Sequence, residues 1–120
     1  MTVSLAMICG DAHRDVLARC LRSVLDYPTR LVDEIVVCWN GNSIDADNMI
    51  DFIADHPEMK QTRSDAGVVI NVFEQVWEAD FAAARDESYA NTKGDWIMWL
   101  DADDVIDPTH RPTKPLADTL

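Results

Sequence analysis

The sequence predicts an α/β three-layer sandwich, a mainly parallel β-sheet with helices on its faces. Three observations lead there. Short apolar runs of strand length alternate along the chain with segments of helical period, the pattern of βαβ crossovers. The last run, Trp96-Ile97-Met98-Trp99-Leu100, is unbroken, which predicts a strand buried on both faces. The turns Gly10-Asp11, Trp39-Asn40-Gly41 and Asp101-Ala102-Asp103 all fall at the carboxyl ends of strands. In parallel sheets ligands bind outside those ends, so three loops should converge on one functional rim.

Taken in order, residues 3–9 (VSLAMIC) predict a first strand, closed by Gly10-Asp11. A helix is expected over 13–25, because Val16, Leu17, Cys20, Leu21, Val24 and Leu25 form one apolar stripe. Asp11 is its expected N-cap, and Pro28 lies beyond its end. Residues 34–39 (EIVVCW) predict a second strand. A second helix over 45–55 would turn Met49, Ile50 and Ile53 inward and Asp45, Asp47, Asp51 and Asp55 outward. Val68 to Phe73 reads as a third strand. A third helix over about 80–91 takes Asp80 as cap, and Ala82, Ala83 and Ala84 allow it close packing. The fourth strand is the apolar run 96–100. The division expected is a domain over 1–107 and a Pro-rich loop or tail over 108–120, with the fold apparently truncated after the fourth strand.

Composition narrows the partners. The chain has 120 residues, 48% hydrophobic and 27% charged, which is globular rather than disordered. A formal net charge of -12 argues against nucleic acid or an anionic membrane surface as a broad partner. No apolar run approaches a membrane span and no signal segment opens the chain, so a cytoplasmic location is expected. Cys9, Cys20 and Cys38 lack paired metal-ligand spacing and read as buried small hydrophobes. His13, His56 and His110 are scattered and receive no role.

The chemistry-bearing stretch is Asp101-Ala102-Asp103-Asp104. Side chains alternate in extended chain, so Asp101 and Asp103 share one face if the extension persists. Two carboxylates on one face favour a divalent cation. The bland alternative is a solvated acidic loop, and Asp104 and Asp107 read as loop carboxylates or caps. Other motifs are missing. There is no G-x-G-x-x-G, G-K-[ST], H-E-x-x-H or G-x-S-x-G. An EF-hand counted from Asp101 would put Val105 and Ile106 at its oxygen-ligand and Gly positions. A phosphatase of the haloacid-dehalogenase type would also need a downstream Lys and further acids.

The segment Asp80-Phe-Ala-Ala-Ala-Arg85-Asp-Glu-Ser-Tyr, followed by Gly94-Asp-Trp-Ile-Met-Trp-Leu-Asp101-Ala-Asp103-Asp104, resembles the family 2 glycosyltransferases. The opening VSLAMICGDAHRDVLARCLRSVL and the strand DEIVVCWNGN are similar at matching places. The resemblance spans roughly residues 2–107 and is most specific over 80–104. It implies the GT-A-like (Rossmann-like) fold of inverting enzymes and a nucleotide sugar as donor, with UDP-sugar favoured. It makes Cys9, Gly10 and Asp11 a wall of the nucleotide pocket, with Asp101, Ala102 and Asp103 at the diphosphate. Asp103 would be the principal ligand of Mn²⁺ or Mg²⁺, with Asp101 near the ribose or the metal's waters. Arg85 is open to two roles, a cationic contact beneath the site or an outward salt bridge.

Two departures from the family pattern stand out. Where relatives often carry an Asp after the second strand, this chain has Trp39-Asn40; Asn40 can hydrogen-bond a base edge and Trp39 can stack on one. No segment after Asp107 resembles the half that supplies the base for the acceptor hydroxyl, so the catalytic base is unassigned. The resulting expectation is a hexosyltransferase-like enzyme completed by further segments or a partner chain. The alternative is a truncated, non-catalytic nucleotide-binding or assembly module, with apolar surface exposed and a homo-oligomer as one outcome. A GT-A-like nucleotidyltransferase is disfavoured, since Cys9-Gly10-Asp11-Ala12 is neither Gly-rich nor basic. Trp96 and Trp99 are assigned to the core, and Trp77 to packing or to the acceptor side. Asp65 is a solvated acid or a nucleotide contact.

Overall fold

In a computed structural model, residues 2–27, 30–60 and 68–106 are described. Four strands, β1 (Val3–Cys9), β2 (Glu34–Trp39), β3 (Val69–Glu74) and β4 (Trp96–Trp99), form one sheet in the order β3-β2-β1-β4. Every pairing is parallel. The helices are α1 (Arg14–Leu25), α2 (Ala46–Asp55), a single turn α3 (Pro57–Lys60) and α4 (Phe81–Ala90). A 3₁₀ turn at Asp11–His13 precedes α1. The short α3 has no counterpart in the elements expected from sequence. Pro28, Asp65, Asp107, His110 and the tail 108–120 lie outside the described residues.

Alternation along the central strands builds two layers of packing. Leu5, Met7, Ile35 and Val37 are fully buried and cluster with Leu17, Cys20, Leu21 and Val24 of α1 and with Met49 and Ile53 of α2. The opposite face carries Ala6, Val36 and Cys38, and α4 lies against β1 and β2 there. Only Ala84 and Ser88 of α4 are buried, one helical turn apart, so the helix approaches through small side chains. Ala82 and Ala83 face outward. Asp80 caps α4, its carboxylate accepting from Ala83 N at 3.1 Å, as the sequence predicts. Asp45 does the same for α2, accepting from Asn48 N at 2.8 Å.

Three expectations are corrected. Ile50 is 46% exposed, because Ala46, Met49 and Ile53 form the buried face of α2 and Ile50 lies off it. Asp11 does not cap α1; the 3₁₀ turn starts the helix and the Asp11 carboxylate turns to another loop. The run 96–100 is not buried on both faces. Among the described residues β4 lies at the sheet edge and pairs only with β1, and Trp96 is 54% exposed rather than in the core.

At the amino ends of the strands a polar knot joins β1, β2 and β4. The buried Ser4 Oγ donates to Glu34 Oε2 at 2.5 Å and accepts from Gly94 N at 2.8 Å. Gly94 is required by close approach, since a Cβ there would lie 2.8 Å from Ser4 N. No helix among the described residues is long and apolar enough to cross a membrane.

Candidate functional site

The strand order fixes where a ligand can sit. From β1 the chain moves outward to β2 and β3, then returns to the other side of β1 as β4. This reversal is a topological switch point, and the crevice outside the carboxyl ends of such strands is the standard ligand position. A cavity of about 930 Å³ opens there. Its wall is built from all four strand ends: Ile8 and Gly10 at β1, Trp39 to Asn42 at β2, Glu74 to Trp77 at β3, and Trp99 with Asp101 to Asp103 at β4.

The acidic end of the cavity is a tight turn. Ala102 is 2% exposed while Asp101, Asp103 and Asp104 are exposed. Asp104 N donates to Asp101 O at 3.0 Å, closing the turn, and Asp101 N donates to Asp104 Oδ2 at 3.0 Å. The Trp99 indole N–H donates to Asp101 Oδ1 at 3.3 Å. One carboxylate oxygen from each of Asp101, Asp103 and Asp104 lies within 4.8 Å of the others. His13 Nε2 stands 3.9 Å from Asp103 Oδ2. Ile106 N donates to Ser23 Oγ at 3.0 Å, tying the loop to α1.

The opposite end, where β2 and β3 finish, carries the amides of Asn40 and Gln75 beside the acids Asp45 and Glu74. Asn40 N donates to Cys9 O at 3.0 Å and Gln75 N to Trp39 O at 2.8 Å, continuing the ladders past the strands. Trp39 is buried, and its indole N–H donates to Ile44 O at 2.7 Å. Its ring therefore braces the β2–α2 loop. Beyond β3 the chain reverses through Ala79, whose φ of 59° is left-handed, and this turn delivers Asp80 to its capping position. Trp77 and Phe81, each 47% exposed, form an aromatic wall between the two ends.

Of the residues expected to hold a nucleotide sugar, Gly10, Asn40, Asp101, Ala102 and Asp103 border the cavity. Three do not. Cys9 is 1% exposed beneath the wall. The Asp11 carboxylate accepts from Asn42 N at 2.8 Å, from Ser43 N at 3.0 Å and from Ser43 Oγ. Those bonds, the Ser43 hydroxyl foremost, hold its pKa below the ordinary carboxylate value. Arg85 lies over Phe81 and Trp99, 5.0 and 5.4 Å from their centroids, in cation–π contacts.

Sequence reading missed His13 and Gln75 as cavity-bordering groups, and neither carried a signal at local spacing. Asp104, read as a loop carboxylate or cap, accepts from Asp101 N within the turn. The three cysteines are free and buried, as expected. Burial pushes the Cys9 and Cys20 thiols up to about 12 and Cys38 to about 11, which makes them poor nucleophiles and poor metal ligands at neutral pH.

Comparison with known proteins gives a family. The sequence model described as glycosyl transferase family 2 matches residues 4–113. The chain belongs to glycosyltransferase family 2. The all-parallel sheet of its described residues agrees with the GT-A, Rossmann-like fold. A TPR repeat-containing protein of Synechococcus elongatus is 36% identical over 104 residues, which is 87% of this family 2 chain and 21% of that protein. The chain thus spans about a fifth of the curated relative it matches.

Proposed function

We propose that this family 2 domain binds a nucleoside-diphosphate sugar, UDP-sugar first among the candidates, through a divalent cation, and transfers the sugar to an acceptor. The observation that carries the reading is the carboxylate turn at the β4 end of a cavity spanning the strand ends at the switch point. Asp45, Glu74, Asp101 and Asp103 all border that cavity. An anionic diphosphate entering such a wall needs a cation between them, and a hard ion with oxygen ligands suits the donor set.

The residues fit that demand. Asp103 and Asp101, with Asp104 alongside, offer oxygens close enough together to share one ion, and their exposure leaves coordination positions for phosphate oxygens and water. Bound Mn²⁺ or Mg²⁺ would neutralise charge developing on the leaving diphosphate. Asp103 would hold the ion; the Trp99 indole and the Asp104 turn orient Asp101. Two strand spacings, about 10 Å, separate the β2 and β4 ends, leaving room for a ribose between a base at Asn40 and a diphosphate at Asp101–Asp103.

Calorimetry with UDP and UDP-sugars, with and without Mn²⁺, tests the reading. Binding that requires the metal and is lost in Asp103→Ala supports it; metal-independent binding unchanged in that variant overturns it. Release of UDP above the blank, abolished in the same variant, separates an enzyme from a non-catalytic binding module.

A further inference from the structure

Two side-chain amides at the β2–β3 end of the cavity fix each other's orientation. Gln75 is 4% exposed, and its Nε2 donates to Ala84 O at 3.0 Å. A carbonyl oxygen only accepts, so the Gln75 amide must place its nitrogen there and its oxygen on the other side. That oxygen, Oε1, accepts from Asn40 Nδ2 at 3.4 Å. Two amide oxygens cannot bond each other, so Asn40 in turn must give its nitrogen to Gln75. Its own oxygen then lies over Gly10, where a Cβ would stand 2.7 Å from Asn40 Oδ1. Among the described residues no N–H or O–H is hydrogen-bonded to that oxygen. Gly10, Asn40 and Gln75 all border the cavity.

We propose that Gln75 locks the Asn40 amide with its carbonyl oxygen toward the ligand, so that Asn40 selects a nucleoside presenting an imide N–H, as uracil does and cytosine does not. The inference rests on the nucleotide reading above and adds to it a selectivity and the residue that sets it. An unlocked asparagine can rotate to offer either a donor or an acceptor; a locked one offers an acceptor alone. A cytosine ring nitrogen facing that oxygen would oppose two acceptors, and an unpaired polar group in a partly closed site is penalised. Gln75 acts through Asn40 and is a positioning residue. Gly10 contributes by lacking the side chain that would push Oδ1 aside.

A double-mutant cycle read by calorimetry with UDP and CDP, Mn²⁺ present, tests this. The unaltered protein should prefer UDP by about tenfold or more. Gln75→Met, similar in length and unable to accept from Asn40, should bring the two affinities close together. Asn40→Asp alone should keep the preference, because a carboxylate accepts whichever way it turns. Asn40→Asp combined with Gln75→Met should restore what Gln75→Met removed, a rescue that a merely structural role for Gln75 does not produce. Gly10→Ala should weaken UDP while leaving the Gln75–Ala84 bond intact, and it serves if Gln75→Met melts early. Equal affinity for UDP and CDP in the unaltered protein overturns this proposal alone, as does an unchanged preference in both Gln75→Met and Gly10→Ala. Failure of both nucleotides to bind overturns it together with the proposed function.

Discussion

β1 and β4 lie side by side in register, Val3 against Trp96 through Ala6 against Trp99, and both feed the same rim. Their surroundings differ. β1 has a strand on each side, and its Leu5, Ala6 and Met7 are fully buried. Among the described residues β4 has one neighbour; within the strand only Met98 is buried, and Trp96 is half exposed. Place in the strand order decides how much of an apolar run is covered. The difference also divides labour. The β1–β2–β3 side of the rim is held by ladder bonds running past the strands and by the Asn40–Gln75–Ala84 relay. The carboxylates grow from the less supported strand, fixed by a tight turn and a few loop bonds.

The largest break in this comparison should come from the centre of the sheet. Leu5→Ala opens a cavity between β1 and the α1–α2 layer and is expected to cost about 2–5 kcal/mol in chemical denaturation. A loss below 1 kcal/mol would mean that β1 is not the core described here. Asp103→Ala should behave oppositely. It is exposed, so stability should hold within about 0.5 kcal/mol. Mn²⁺-dependent UDP binding should fall by about 100-fold, the scale of losing one charge-stabilising group at a reacting centre. Melting and calorimetry on one preparation read both halves, and unaltered binding would remove the functional half of the contrast.

Most of the architecture was legible because strand and helix periods are local properties. β1 and β2 occupy the residues expected, β3 and the helices fall within a residue or so of their expected bounds, and the Asp80 cap is where the pattern puts it. What escaped was long-range. Nothing in WIMWL reports that its strand is an edge, because strand order is set by the whole chain. Asp11 looks like a cap from its position before a helix, yet its partners, Asn42 and Ser43, are some thirty residues away. His13 reaches Asp103 across the switch point, and Gln75 matters through Asn40 and Ala84, neither of them near it in sequence. The acids themselves were legible because their chemistry and their spacing coincide in a few residues.

Smaller changes sharpen the edge–centre distinction. Gly94→Ala would set a Cβ 2.5 Å from Ser4 Oγ and 2.8 Å from Ser4 N, and backbone cannot swing away as a side chain can. Overpacking of that kind costs about 1–3 kcal/mol and should be visible as an early melt. Trp96→Ser, although it removes the larger side chain, should change stability by less than about 1 kcal/mol because that ring is 54% exposed at the sheet edge. A Trp96→Ser loss exceeding that of Gly94→Ala would show that the edge is covered in solution.

The smallest effect expected is at Asp11, which joins the loop after β1 to the loop after β2. Its folded pKa lies below the ordinary carboxylate value, lowered first by the Ser43 hydroxyl and then by the Asn42 and Ser43 N–H groups. A carboxylate held in that direction stabilises the fold above its unfolded value, and the contribution fades as pH falls through the folded one. Asp11→Ala should therefore be slightly less stable than the unaltered chain at pH 7, with the gap closing in acid. Denaturation curves between about pH 2 and pH 7 read this sign directly. A gap that widens in acid would mean that the Asp11 carboxylate bonds to the Asn42–Ser43 loop better protonated than ionised. The central rim would then be tied by ladder bonds alone, without this side-chain clasp.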